Sequence, residues 1–396
     1  MNAPQPLKGL RVVEFTHMVM GPTCGMVLAD MGAEVIKVEP IEGEGTRRLL
    51  GAGAGFFPMF NRNKKSIGID LKQPEGAAAA RRLAASADVV AENFKPGALA
   101  KFGLDYASLS AVNDRLIYVS HKGFLPGPYE HRTALDEVVQ MMGGLAYMTG
   151  RPGDPLRAGT SVNDIMGGLF GAIGTLGALI QRGITGKGME VQSALYENNV
   201  FLMGQHMLQY AMTGRHPQPM PARDNPWAVY DVFTVKDGEQ IFLAAVSDGQ
   251  WQTFCDALGF VDLKADLLLA TNNDRVKVRP QLLATLRERL AGRSAAELAA
   301  IFEQAGLPFA AIRKPEDLFD DPHLNATGGL ADVVLPDGDK AGQTVKTTLF
   351  PITLAGERLP VRLQPPRFAA HTDELLQGLG YAAAEIEDFK HRAVVA

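Results

Sequence analysis

The sequence predicts an α/β protein whose first half contains a parallel sheet. Residues 11–15 and 34–39 are short apolar runs typical of strands. The segment between them has the length of one helix, with Gly21 and Pro22 at its start and Gly32 at its end. A strand, a helix and a second strand in this order indicate a parallel pair joined by a right-handed crossover.

Further elements extend this alternation into a doubly wound domain. The patterns predict a helix at 75–85 and strands at 88–91 and 116–120. Such a domain could bind a dinucleotide, but the chain after the first strand reads THMVMGPTCG and lacks the GxGxxG loop that cradles a pyrophosphate. The sequence also lacks a P-loop and a GxSxG elbow, which argues against a nucleotide hydrolase and a serine esterase.

The second half predicts a separate, smaller α+β domain. Residues 204–226 are rich in Pro, His and Arg without steady periodicity, and we interpret them as a linker. We place the small domain at 227–318 and assign 1–203 and 319–396 to the large domain. Within the small domain the patterns predict strands at 228–234 and 239–245 and helices at 249–258, 278–290 and 295–305; the tail ends in a helix at 382–392.

Composition excludes several classes of protein. The chain has 396 residues and a formal charge of −5, which provides no basic field for non-specific nucleic-acid binding. Cys24 and Cys255 are too far apart in sequence to suggest a zinc site or a disulfide framework, and they fit a reducing cytosol. We see no signal peptide, and the apolar run at 165–180 is shorter than a membrane span, so we expect a cytoplasmic protein with no membrane partner.

Asp164 stands out because it immediately precedes that apolar, glycine-rich run. One interpretation makes it the N-cap of a buried helix, whose first N–H groups need an acceptor. The other makes it a carboxylate nucleophile, with Gly167, Gly168 and Gly171 leaving room for a bulky substrate near the backbone. The two interpretations are compatible, and spacing alone favours the cap, because helix caps are common and nucleophiles are rare.

The segment GTSVNDIMGGLFGAIGTLGALIQRGITGKGMEV resembles the core of the class III coenzyme A transferases, which include formyl-CoA transferase and carnitine CoA-transferase. In that family the Asp before the glycine-rich helix is the covalent nucleophile, and this role falls on Asp164. The resemblance continues in EFTHMVMGP, NRNKKSIGIDLKQPEG, AENFKPGALAKFG and HRTALDEVVQMMGG. It implies coenzyme A contacts at His17, Met18, Val19, Met20, Ile69, Lys72, Asn93, Phe94, Lys101, Arg132 and Asp136.

These positions also have plain structural interpretations. His17 could be a strand-end histidine satisfied by nearby backbone, and Lys72 could belong to a solvated turn. Phe94 could contact adenine or belong to the core. Two positions depart from formyl-CoA transferase, because Thr133 and Pro40 stand where that enzyme has basic coenzyme contacts.

The resemblance implies a Rossmann-like large domain built from both chain ends, a small domain, and an interlinked homodimer of ring-like subunits. It also implies that coenzyme A passes from an acyl-CoA, such as succinyl-CoA, to a small carboxylic acid, with no permanently bound cofactor and no metal. Arg223 could pair with the far carboxylate of a dicarboxylate or could be a solvated linker residue. The alternatives are an α-methylacyl-CoA racemase, whose His is absent from the Ala134-Leu135-Asp136 stretch, and a non-catalytic coenzyme A binding protein.

Overall fold

Six parallel strands form the central sheet of the protein. The computed structural model describes residues 3–223 and 225–396. The chain divides into a large unit, Met1–Pro221 with Pro322–Ala396, and a small unit, Ala222–Asp321. The N-terminal part of the large unit contains β1 (Arg11–Phe15), α1 (Met20–Asp30), β2 (Glu34–Glu39), α2 (Phe56–Phe60), β3 (Lys64–Gly68), α3 (Pro74–Ala85), β4 (Val89–Glu92), α4 (Tyr106–Ser110), β5 (Ile117–Lys122), α5 (Asp136–Met142), α6 (Leu145–Thr149), α7 (Val162–Thr185), β6 (Met189–Ala194) and α8 (Leu195–Thr213).

The strand order is β3-β2-β1-β4-β5-β6, which is the doubly wound arrangement of dinucleotide-binding folds. Alternate residues of the strands face opposite sides of the sheet, and both sides are covered. Val12 and Val35 pack with α1 and α7, whereas Val13 and Ile36 pack with α3 and the C-terminal helices. Burial on both faces explains why these strands are almost continuously apolar.

Helix α7 packs closely against α1 and the sheet because glycines on its inner side, including Gly168 and Gly171, leave no side chain in the way. An added Cβ at Gly168 would overlap Thr23 of α1, and one at Gly171 would overlap the imidazole of His121. The helix ends at Gly186, whose φ of +76° favours glycine. With a mean hydropathy of 1.3 over 18 residues, α7 is long and apolar enough to cross a membrane, although helices packed inside folded domains meet the same criteria.

The small unit is built around a three-stranded antiparallel sheet in the order β7-β8-β9. Its core contains Trp251, Phe254 and Phe302, all of them fully buried. Its elements are β7 (Val229–Thr234), β8 (Gln240–Ala245), α9 (Asp248–Leu258), α10 (Val261–Ala265), α11 (Asn272–Lys277), α12 (Arg279–Leu290), α13 (Ala295–Gln304) and β9 (Phe309–Ala311). The compact unit extends a few residues beyond the range 227–318 that we assigned from the sequence.

The chain then returns to the large unit. His371 N donates to Ser66 O at 3.0 Å, and Asp70 N donates to Val394 O at 2.9 Å, so the C-terminal residues hold the β3 edge of the sheet. This part contains α14 (Pro322–Ala326), β10 (Leu330–Val334), β11 (Thr344–Thr348), β12 (Thr353–Leu354), β13 (Glu357–Arg358), α15 (Thr372–Gly378) and α16 (Ala383–His391).

The linker prediction for 204–226 was wrong in its first part. Helix α8 continues to Thr213 and ends at Gly214, which has a φ of +65°. Many side chains of its second half are exposed, including Met207 and Leu208, and the helix has no clean apolar stripe. A helix without such a stripe gives no periodic signal in the sequence.

Candidate active site

A cavity of about 370 Å³ lies in the large unit at the carboxyl ends of the parallel strands. His17 follows β1, Asn93 follows β4, and Lys122 is the last residue of β5. The crevice beyond the strand ends is where doubly wound sheets bind ligands. The predicted site residues that line this cavity, here called the acyl cavity, are His17, Met18, Met20, Asn93, Phe94, Arg132, Asp136 and Asp164.

A second cavity of about 380 Å³ gathers the other predicted coenzyme contacts, and we call it the base cavity. Ile69, Lys72 and Lys101 line it together with Phe94, which also lines the acyl cavity. The two cavities are therefore neighbours that share Phe94 in their linings. Val19 lines neither cavity, because its side chain is buried in the core. The predicted coenzyme contact of Val19 is therefore limited to its backbone.

The base cavity combines an apolar wall with cations at its edge. Phe15, Val38 and Leu99 contribute the apolar surface. The Lys72 and Lys101 side chains are exposed beside it, which suits an aromatic base that carries phosphates. Pro40 also lines this cavity, so the basic residue that formyl-CoA transferase has there is missing while the two lysines remain.

Asp164 is not the N-cap of its helix. The N-cap is Ser161, and Asp164 lies in the first turn of α7. Instead, Asp136 satisfies the helix end: its Oδ2 accepts hydrogen bonds from Asn163 N at 2.7 Å and from Asp164 N at 3.1 Å. The other oxygen of Asp136 accepts from the Gln140 amide. The acid that the sequence analysis assigned to the coenzyme therefore also orients the helix that carries Asp164.

The carboxyl group of Asp164 is in an environment that disfavours its charge. Within residues 3–223 and 225–396, no group donates a hydrogen bond to it. Burial, reinforced by the negative charge of Asp136, raises the pKa of Asp164 from 3.8 to about 7, and Arg157 opposes this shift. Arg157 is itself paired with Glu137, which weakens its effect. Perturbed carboxyl groups that line a cavity are candidates for chemistry.

The turn between β1 and α1 forms one side of the acyl cavity and is held rigidly. Met18 has a φ of +63°, which is unusual for a residue with a side chain, and its N donates to Thr46 Oγ1 at 3.1 Å. Asn93 binds the His17 backbone twice, accepting from His17 N at 3.0 Å and donating to His17 O at 2.8 Å. Buried Lys37 donates to Thr16 O at 2.9 Å. Strained turns that are clamped in this way are typical of functional sites.

His17 has both a satisfied backbone and a ring that lines the cavity, whereas the Phe94 ring is open to a ligand. The His17 backbone is satisfied by Asn93, while the ring lines the acyl cavity with its centroid 5.2 Å from that of Phe94. Burial lowers the pKa of His17. Phe94 is 37% exposed, so its ring face is available to a ligand instead of being part of the core.

Several residues of the site were missed from the sequence. Lys122 lines the acyl cavity and is neutralised by Glu92, with 2.6 Å between Lys122 Nζ and Glu92 Oε1. Burial lowers the pKa of His121 to about 3, so its imidazole is neutral. Thr46, which fixes Met18, is far from every motif. None of these positions carries a local signal, because their roles depend on partners tens of residues away.

No group of three or more His, Cys, Asp or Glu side chains in the described part of the chain could hold a metal ion. Arg223, the residue that could pair with the far carboxylate of a dicarboxylate, belongs to the small unit and donates to Asn225 Oδ1 at 3.3 Å. Leu135, at the place of the racemase histidine, is an exposed apolar side chain.

Comparison with known proteins places this site in a family. The profile of CoA-transferase family III matches residues 7–372. The chain is 34% identical over 391 residues to the succinate–glutarate CoA-transferase of Agrobacterium fabrum, covering 96% of both chains. It is 35% identical over 363 residues to the succinyl-CoA:mesaconate CoA-transferase of Haloarcula hispanica, covering 86% of this chain and 90% of that protein. A crystal structure of a CAIB/BAIF family protein from Brucella suis superposes with a TM-score of 0.85 at 36% identity, covering 95% of this chain and 100% of the other.

The matches span both units of the chain and include the strands and helices that form the two cavities. The chain therefore belongs to CoA-transferase family III and is an enzyme of the CoA-transferase type.

Proposed function

We propose that the protein transfers coenzyme A from succinyl-CoA or a similar acyl-CoA to a small carboxylic acid, through covalent intermediates on Asp164. The observation that carries this proposal is the Asp164 carboxyl group, which lines the acyl cavity without a hydrogen-bond donor from the described residues. A carboxylate that is poorly solvated and not consumed by a helix cap is available to attack a carbonyl carbon.

The steps balance without ATP or a metal. An Asp164 oxygen attacks the thioester carbon, the C–S bond breaks, and the electron pair leaves with the coenzyme A thiolate. The thiolate then attacks Cγ of Asp164, which releases the free acid of the donor and leaves an aspartyl-CoA thioester. The acceptor carboxylate attacks Cγ in turn, which breaks the Cγ–S bond and gives a second mixed anhydride. The released thiolate then attacks the acyl carbon of the acceptor, which yields the new acyl-CoA and regenerates the Asp164 carboxylate. Each bond formed replaces one of similar energy, so the activation of the thioester is conserved.

The two cavities suit the two ends of coenzyme A. The base cavity offers an apolar wall and Lys72 and Lys101 for the adenine and phosphates, and the acyl cavity offers Asp164 for the thioester. Phe94, shared by both, would contact the uncharged pantetheine arm or the base. The coenzyme is a substrate in this proposal, and no permanently bound cofactor is required.

The names of the relatives support dicarboxylic acids as substrates. The proteins from Agrobacterium fabrum and Haloarcula hispanica are named for transfer involving succinate, glutarate or mesaconate. We extend this class to the present chain as part of the proposal, with the donor written as succinyl-CoA and the acceptor as a small carboxylic acid.

The interlinked homodimer implied by the family resemblance belongs to the same proposal. Exposed apolar side chains on α7 and α8 support it, since Ile180, Ile184 and Phe201 are all more than 70% exposed in the single chain. Large apolar side chains exposed on neighbouring helices are typical of subunit interfaces. Light scattering of the purified protein would give twice the chain mass if the proposal holds, and the monomer mass would contradict it.

The decisive experiment follows Asp164 during turnover. The protein is incubated with succinyl-CoA and a panel of carboxylic acids, new thioesters are identified by mass spectrometry, and acylated Asp164 is trapped with hydroxylamine or borohydride. We expect new thioesters, a label on Asp164, and no transfer by Asp164→Ala or Asp164→Asn, both of which should still bind coenzyme A. Near-normal transfer by both variants would contradict the proposal.

The same preparation tests the alternatives. A racemase would incorporate solvent deuterium at Cα of an acyl-CoA without exchanging its acid. A non-catalytic binding protein would retain coenzyme A and yield neither product.

A further inference from the structure

The acyl cavity contains a free arginine whose role we assign from its geometry, on the basis of the proposed function. Among the cations that line this cavity, Lys122 is paired with Glu92, and His131 lies 3.0 Å from the Glu130 carboxylate, whereas Lys95 and Arg132 form no ion pair within residues 3–223 and 225–396. Arg132 has no carboxylate within ion-pair distance among residues 3–223 and 225–396. Its guanidinium is therefore available to an anionic ligand.

The guanidinium of Arg132, which is an exposed side chain, lies against an aromatic ring. Its Cζ lies 4.1 Å from the ring centroid of Tyr129, and Arg132 N donates to Tyr129 O at 2.9 Å. Tyr129 is fixed in turn by edge contacts with Phe124 and Tyr196, at centroid distances of 5.7 and 6.3 Å. An arginine stacked on an aromatic cluster loses little freedom when it binds, and its planar fork matches two oxygen atoms of one oxoanion.

We propose that Arg132 binds the far carboxylate of a dicarboxylic acyl group whose thioester end lies at Asp164, and thereby sets the preference for dicarboxylic substrates. The competing anion is a phosphate of coenzyme A. The phosphates lie at the adenine end of the molecule, where Lys72 and Lys101 already line the base cavity. The pantetheine arm between the phosphates and the thioester is long and uncharged. Arg132 shares a cavity with Asp164, and unlike Lys95 it lies over an aromatic ring, so we place Arg132 at the acyl end.

The test compares two thioesters that differ only at the far end of the acyl chain. Succinyl-CoA carries a carboxylate where butyryl-CoA carries a methyl group. We expect Arg132→Gln to lower kcat/KM for succinyl-CoA by about 10- to 100-fold, the range for a lost charge-assisted bidentate pair, and to change the value for butyryl-CoA by less than about 3-fold. The dissociation constant of free coenzyme A should not change. Arg132→Lys should recover part of the preference, because it keeps the charge without the fork.

Lys95→Gln is the matched control, because it removes one positive charge from the same cavity. It should leave the ratio of the two kcat/KM values unchanged. Equal weakening of both thioesters and of free coenzyme A by Arg132→Gln would place Arg132 at a phosphate, and an unchanged ratio would remove it from the site. A ratio that falls with Lys95→Gln instead would assign the role to Lys95. Each of these outcomes overturns the assignment.

The failure of this assignment is distinguishable from the failure of the proposed function. The dissociation constants of both thioesters are measured on an Asp164→Asn background, in which the donor is not consumed. This arm reports on Arg132 even if no acid proves to be an acceptor. Transfer by the wild-type protein reports on the proposed function alone.

Discussion

Replacing Asp164 by Asn should stabilise the folded protein, and the gain should grow with pH. The reason is the raised pKa of this carboxyl group, which is 3.8 in its ordinary state and about 7 in the folded protein. A folded state that holds the proton more tightly than the unfolded state is most stable at low pH. It loses stability as the pH rises from the unfolded pKa to the folded pKa.

The size of the effect follows from the two pKa values. At about 1.36 kcal/mol per pKa unit, the full cost of ionising Asp164 in the folded protein is on the order of 4 kcal/mol above pH 7. At about pH 5 the cost is roughly 1.5 kcal/mol, because the unfolded carboxyl group is ionised while the folded one remains protonated. The advantage of Asp164→Asn should therefore increase by about 2–3 kcal/mol between about pH 5 and about pH 8.

Urea unfolding followed by circular dichroism at both pH values measures this difference. Comparing the variant with the wild type at each pH cancels the contributions of titrating groups that do not interact with Asp164. Asp154→Asn, which removes one carboxylate from an exposed side chain, controls for the loss of a negative charge. A stability gap between Asp164→Asn and the wild type that stays constant across this pH range would refute the reasoning about burial and Asp136.

Two further predictions concern charges. In the proposed mechanism only ionised Asp164 attacks the thioester, so the wild-type kcat/KM should rise with pH to a plateau above about pH 7. Asp136→Asn removes a like charge and should move the midpoint of this pH–rate profile to lower pH. An unmoved midpoint would contradict this prediction. Lys64→Met should destabilise the fold by about 3 kcal/mol or more, because it leaves buried Glu14 without the ammonium now 2.7 Å away. Lys65→Met, which breaks only partly exposed ion pairs, should lower the free energy of unfolding by less than about 1 kcal/mol in the same thermal or urea titration. Equal losses in the two variants would show that the buried pair of Lys64 with Glu14 does not stabilise the fold more than an exposed pair does.

The strands of the sheet were the most predictable part of the fold. The predicted boundaries 11–15 and 34–39 coincide with β1 and β2, and the later strands and helices agree within a few residues. These elements are apolar runs of strand or helix length bounded by glycine or charged residues, so each can be predicted from its own residues alone. Two strands were not identified from their own patterns: β3, and β6, which has an alternating and partly exposed pattern.

The buried charges could not be predicted in the same way. Glu14, Lys37 and Lys64 lie in the neighbouring strands β1, β2 and β3, and each is fully buried. In the sequence they look like ordinary polar residues, because Glu14 pairs with Lys37 and Lys64, which are 23 and 50 positions away; Lys37 also pairs with Glu44, 7 positions away. Their role becomes visible only when the strand order brings β1 between β2 and β4 and places β3 beside β2.

The candidate site shows the same limit most clearly at Asp164. Spacing favoured a capping role, because an Asp before an apolar run commonly binds the first free N–H groups of the helix. In the folded chain, Asp136 takes that role from 28 residues away, and Asp164 donates its own backbone N–H to it. This exchange of the capping role determines how strongly the Asp164 carboxylate is stabilised as an anion. A carboxylate bound to a helix N-terminus is stabilised as an anion and attacks weakly, whereas one that is excluded from the cap and buried beside a second carboxylate is a higher-energy anion. In the proposed mechanism, Asp136 therefore satisfies the helix end and leaves Asp164 free to carry the acyl group.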